Sequence, residues 1–209
     1  MKKRIIGIGL ATGIATLGLA GCSLFGGGGE EGELTTSTTA EVSEKEEQGS
    51  STEKDGIKKT VVYSNDNLDI ENTVGPVIFT IDSIQVADMT ATTDTASSML
   101  GIDKNQDATM ITVKFSCKNT SDSQANFYAS KAILTADSGE ESEPVSYYGE
   151  YMDAHIGGGD SSTKTGTNVY VLEDTKASDI KSVEIHFDAP QDWDFKDMDD
   201  DIDVEVELD

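Results

Sequence analysis

Few side chains in this 209-residue chain are suited to covalent or acid–base chemistry, and their neighbours decide what each can do. There are two cysteines. Cys22 closes the apolar stretch LGLAGC and is followed by the glycine- and glutamate-rich SLFGGGGEEGE, so it has neither a nearby partner nor a core to enter. Cys117 lies on the apolar phase of the alternating stretch ATMITVKFSCKN, where a thiol in apolar surroundings is inert. There are two histidines. His155 has Asp153, Ser161 and Ser162 close by, the residue types of a nucleophilic set, but no Gly-x-Ser-x-Gly elbow and no group to orient the imidazole. His186 falls on the polar phase of SVEIHF, between Ile185 and Phe187. So few histidines and cysteines do not furnish a zinc site, and no enzyme is expected.

Two other clusters suit binding better than catalysis. The run DWDFKDMDDDID carries Asp197, Asp199 and Asp201, oxygen ligands at the spacing a calcium loop uses. Counted from Asp197, however, position six is Ile202 where a helix–loop–helix calcium site has glycine. Position twelve is Leu208 where it has glutamate. The start at Asp103, in DKNQD, fails at the same two places, with Ala108 and Lys114. The same run also reads as a solvated acidic edge that discourages sheet-to-sheet pairing. The stretch YYGEYMDAHIGGG holds Tyr147, Tyr148 and Tyr151, which suit stacking on a sugar or gripping a protein, or else cap the core. Trp193 and Phe195 share one strand phase and are expected to pack in the core or at an edge. Gly157 to Gly159 lack the following lysine and helix of a phosphate loop.

The elements that position these residues begin with a leader. Lys2, Lys3 and Arg4 form a basic head, residues 5 to 20 are mostly apolar, and Ala20 and Gly21 are small: the layout of an export signal ending before residue 22. The apolar run is shorter than a membrane-spanning helix needs and is broken by Gly7, Gly9, Gly13 and Gly18. Leu19-Ala20-Gly21-Cys22 resembles the lipobox of bacterial lipoproteins. That resemblance implies removal of residues 1–21 and a diacylglyceryl thioether on Cys22, and hence attachment to the outer face of the cell membrane through palmitate-like chains. Two acyl chains hold far better than one, at about 0.8 kcal/mol per buried methylene.

Residues 22–56 then read as the lipidated cysteine and a disordered acidic linker. Gly, Ser, Thr and Glu dominate it, and a chain of this length and composition spans roughly 30 Å. Without the three leading positive charges the formal net charge goes from −25 to −28, and Arg4 is the only arginine. Such a polyanion repels nucleic acid and anionic headgroups alike, so contact with the membrane is left to the lipid.

Residues 57–209 carry the folded domain. Strands are expected at Lys59 to Ser64, Val77 to Asp88, Ala108 to Asn119, Lys131 to Ala136, Thr167 to Glu173, Ser182 to Phe187 and Ile202 to Leu208, with short helical turns at Ala96 to Gly101 and Gly149 to Ile156. In VIFTIDSIQVAD the apolar phase switches between Ile81 and Ile84, which calls for a bulge near Asp82 and Ser83. Seven short strands predict an all-β fold of two packed antiparallel sheets.

Ile111 to Thr120 (ITVKFSCKNT), Leu134 to Gly139 (LTADSG) and Gly166 to Leu172 (GTNVYVL) resemble a family of uncharacterised secreted bacterial lipoprotein domains, related to a small actinobacterial antigen. The resemblance implies an immunoglobulin-like β-sandwich and no mechanism. The expected function is non-catalytic binding or protein interaction at the cell surface, with an unknown protein or surface ligand as partner. The alternatives are a calcium-responsive or structural envelope module and an accessory subunit of a membrane complex. No cofactor is expected apart from calcium.

Overall fold

A computed structural model describes residues 3–7, 48–158 and 163–208. Cys22, most of the linker, and Ser161 and Ser162 lie outside the described residues. Among those residues the strands in chain order are β1 (Lys3–Gly7), β2 (Ser51–Lys54), β3 (Ile57–Asn65), β4 (Ile70–Val74), β5 (Val77–Ala91), β6 (Asp107–Asn119) and β7 (Ala125–Asn126). They continue as β8 (Ile133–Ala136), β9 (Glu141–Ser142), β10 (His155–Ile156), β11 (Lys164–Leu172), β12 (Ser182–Phe187) and β13 (Ile202–Glu207). One helix, α1 (Asp94–Leu100), starts at a Thr93 cap that accepts from the Ala96 N–H and stops at Gly101 in the left-handed conformation.

The fold is an all-β, immunoglobulin-like sandwich. One sheet runs β1-β13-β12-β8-β9 and the other β11-β6-β5-β3-β2, with β4 also on β5. Every pairing is antiparallel except β1 on β13. The expected bulge is present: the β5–β6 register shifts between Ile81 and Ser83. It divides β5 in two. Before it, β5 pairs with β4, and Val77, Phe79 and Ile81 face inward; after it, β5 pairs with β3, and Ile84 and Val86 face inward.

Between the sheets, Phe79 from β5, Phe127 and Phe187 from β12 meet with ring centroids 4.7 to 6.1 Å apart. Beyond the bulge the six-stranded sheet is covered on its outer side as well. Met89 and Ala91 of β5, Ala108 and Met110 of β6 and Val169 of β11 pack there with Ala96 and Leu100 of α1.

Three differences from the sequence expectation have local causes. The expected linker contains a strand, because Asp55 and Gly56 (φ 53° and 78°) form a tight turn that folds β2 onto β3. The Gly149 to Ile156 stretch has no helical turn; it makes an isolated bridge from Glu150 to Thr167 and ends in β10. Within the expected leader, Lys3–Gly7 lies as a strand beside β13.

Gly166 in β11 has no room for a side chain: a Cβ there would lie 2.6 Å from the Phe115 ring and 2.9 Å from Met152 Cβ. Gly166→Ala is expected to cost about 1–3 kcal/mol in urea unfolding with an unchanged m-value, as overpacking does.

Candidate functional site

The residues most exposed against their chemistry are aromatic. Trp193 and Phe195 are 72% and 68% exposed, and Tyr147 and Tyr151 72% and 74%. For Trp193 and Phe195 this corrects the expected core or edge packing, and Asp192 supplies the reason. Its Oδ1 accepts from the N–H groups of Asp194 (2.8 Å) and Lys196 (3.0 Å), while its carbonyl accepts from Phe195 (3.1 Å). The local carboxylate thus closes a tight turn in place of a strand. Phe195 is held at φ 59°, a conformation that costs a bulky residue roughly 1–2 kcal/mol.

That turn is bolted to the body. Asn126 of β7 exchanges backbone hydrogen bonds with Gln191, both 2.8 Å, and its Nδ2 donates to the Asp192 carbonyl at 3.1 Å. On its other side the same segment takes the tyrosine loop. Asn126 pairs with His155, the Phe127 N–H donates to the Ala154 carbonyl (2.8 Å), and the Met152 N–H donates to Ser130 Oγ (3.1 Å). Buried polar side chains fix the segment itself. Asn168 Nδ2 donates to the Ala129 carbonyl and to Tyr170 Oη, whose hydroxyl donates to the Ala132 carbonyl. Burial pushes the Tyr170 hydroxyl pKa up, so it stays a donor. The chain from Asn126 to Lys131 is therefore a rigid rib with an aromatic loop on each flank.

Beside the rib is a cleft of about 320 Å³ whose lining includes Tyr128, Lys131, Asp188, Gln191, Asp197 and Asp201. The Lys131 ammonium stands 4.9 Å from the Tyr128 ring centre. The three aspartates considered for calcium each accept from a different donor. Asp197 accepts from Gln191 Nε2 (3.0 Å), Asp201 from the Ala189 N–H (3.0 Å), and Asp199 from the Gly75 N–H (2.9 Å) at the β4–β5 turn. Among the described residues no three His, Cys, Asp or Glu side chains converge as metal ligands do.

The expected tyrosine cluster divides. Tyr147 and Tyr151 point to solvent, whereas Tyr148 packs on the outer cluster with its hydroxyl 3.7 Å from Met99 Sδ. Burial, and then Asp55, raise its phenol pKa. Tyr148 also borders a groove of about 230 Å³ with Met110, Val169, Lys54 and Lys59. His155 sits in solvent, its Nδ1 3.1 Å from Asp153. His186 Nδ1 lies 2.7 Å from Oδ1 of the buried Asp203. Asp203 stands directly opposite His186 in the β12–β13 register, and its burial goes with that pairing.

No family model matches the chain, and no curated protein does. Among solved structures, the fold is similar to that of a protein of unknown function from Listeria monocytogenes. The two are 14% identical with a TM-score of 0.54, over 72% of this chain and 88% of that one. A candidate lipoprotein of Bacillus subtilis, ycdA, is 13% identical with a TM-score of 0.46, over 67% of this chain and 39% of that one. The first likeness confirms the architecture.

Trp193 is the only tryptophan, which makes its exposure directly readable. Native emission is expected at the wavelength of a hydrated indole, freely quenched by acrylamide and little shifted by urea. Phe195→Gly should leave the melting temperature unchanged or higher, because it relieves the left-handed strain. A blue-shifted native spectrum, or a loss above about 1 kcal/mol in Phe195→Gly, contradicts the exposed turn.

Proposed function

We propose that the protein is a lipid-anchored, extracytoplasmic binding module without catalytic activity, which docks a protein partner through its aromatic loops. One observation carries the docking surface: Trp193 and Phe195 stand in solvent on a turn that is braced by Asp192 and Asn126. Rigid exposed aromatics lose little entropy on binding and are the residue types that dominate interface energies. The aspartates around them, Asp192, Asp194 and Asp197, favour a cationic partner surface.

The anchor rests on the leader, with Cys22 as the acceptor of the lipid. Among the described residues, no helix is long and apolar enough to cross a membrane. The other cysteine is set apart from this chemistry. Cys117 is buried, and burial, followed by the charge of Asp82, pushes its thiol up to about 12. The two histidines contact carboxylates, Asp153 for one and Asp203 and Asp188 for the other. The alternatives, an accessory subunit of a membrane complex or a calcium-responsive envelope module, share the anchor and differ in the partner.

Two experiments test the reading. In the native host, Cys22→Ala should move the protein from the membrane fraction to the soluble fraction. Protein from native membranes should react with no thiol reagent at pH 8 until urea exposes Cys117. A fast-reacting thiol there, or Cys22→Ala protein still in the membrane, contradicts the anchor. For the docking surface, in-cell crosslinking should give one discrete product. Trp193→Ala/Phe195→Ala should lose that product while keeping the wild-type melting temperature, and Tyr147→Ala should retain it. Equal yield from the double variant contradicts the surface.

A further inference from the structure

We propose that the β13 edge of the processed chain is a strand-addition site for an extended, basic–aliphatic segment of a partner protein. The inference rests on removal of residues 1–21, as read above. It is otherwise independent of the aromatic loops.

The edge is seen occupied. Lys3–Gly7 pairs with β13 in parallel over five residues, from Lys3 opposite Ile202 to Gly7 opposite Val206. Once the leader is gone, β13 borders only β12. Its hydrogen-bonding groups can be assigned by phase. The Leu208 N–H donates to the Lys181 carbonyl on the β12 side (2.8 Å), so Ile202, Val204 and Val206 also bond towards β12. Asp203, Glu205 and Glu207 then present their N–H and C=O groups to the open edge. β13 has no proline and no bulge against β12, so its main chain stays competent to pair, and the device that blunts this edge is the charge of its acidic residues.

Charge selects the occupant. Ile202, Val204 and Val206 fill the core, and Asp203, Glu205 and Glu207 alternate with them on the other face, Asp203 buried beside His186 Nδ1 (2.7 Å) and Glu205 directly opposite Glu184 of β12. A second copy would bring two such acidic rows together, which disfavours self-pairing. A cationic strand is attracted, and the segment seen there is Lys-Arg-Ile-Ile-Gly, with Arg4 opposite Asp203. Main-chain bonds supply affinity in this mode and alternate side chains supply selectivity.

The parallel ladder makes the test specific. Asp203 and Glu205 bond to the residues on either side of their partners Arg4 and Ile6, so the main-chain N–H groups of Ile5 and Gly7 carry the pairing and those of Arg4 and Ile6 do not. The probe is a fluorescent synthetic peptide of residues 2–8, titrated by anisotropy into two chains: residues 22–209 and the full chain with its leader. Saturable binding at least tenfold tighter to the first is expected. N-methylation at Ile5 and Gly7 should weaken it tenfold or more, and N-methylation at Arg4 and Ile6 should not. Glu205→Pro, which removes an edge donor and no β12 bond, should reproduce the loss with the circular dichroism spectrum unchanged.

No binding to 22–209, equal binding to both chains, or equal weakening by both methylation patterns overturns the proposal; the last is charge adsorption only. Should Glu205→Pro fail to fold, the peptide pair still decides. If the peptides behave as expected but the native protein retains residues 1–21, the edge is closed in the cell. The processing reading then fails while the strand-addition chemistry stands.

Discussion

The sandwich depends on a change of phase inside one strand. β5 runs for 15 residues and pairs with β3, β4 and β6, and an uninterrupted period-two strand would turn either Phe79 or Val86 out of the core. The irregularity between Ile81 and Ser83 lets both point inward. It also frees the opposite face of the later half, where Met89 and Ala91 meet α1. One extra residue thus produces two hydrophobic clusters on opposite sides of one sheet. This suits a domain whose cysteine framework offers no disulfide once Cys22 is modified.

From that frame follows the rigidity of the loops. The segment joining β6 to β8 crosses one end of the sandwich and is fixed by side chains buried in the strands. Asn119 donates to the Ser123 and Ile156 carbonyls, and Asn168 and Tyr170 bond the Ala129 and Ala132 carbonyls. Buried amides and phenols that are satisfied in this way specify one arrangement of the main chain they hold. Both aromatic loops hang from this segment, so a strand-level property, the inward direction of Asn168 and Tyr170, sets the placement of surface rings.

Where period two governs, the sequence was legible. β6, β12 and β13 alternate cleanly and match expectation to within a residue or two, and the phase switch in β5 was visible as two apolar sets out of step. What was missed is non-periodic or short. β2 is exposed throughout and shows only in its Asp55-Gly56 turn. Ile70–Val74 does alternate, but its middle inward residue is Asn72, which masks the pattern. Trp193 and Phe195 have strand spacing, yet the Asp192 carboxylate captures the local N–H groups, a competition that periodicity does not register. The partition of the aspartates was likewise invisible: that Asp199 serves Gly75 depends on a contact 124 residues away in sequence.

The domain so built has the marks of a presenting scaffold: a stiff body, two aromatic loops, an acidic sheet edge, and a leader whose last residues resemble a lipid-attachment signal. Function on this view is a matter of location and contact, with Cys22 setting the location. The most direct test of that claim is the intact mass of the protein recovered from its native envelope. The account predicts a chain starting at Cys22 and heavier by a diacylglyceryl group. A chain that still contains Met1 to Gly21, or one starting at Cys22 with an unmodified thiol, contradicts it.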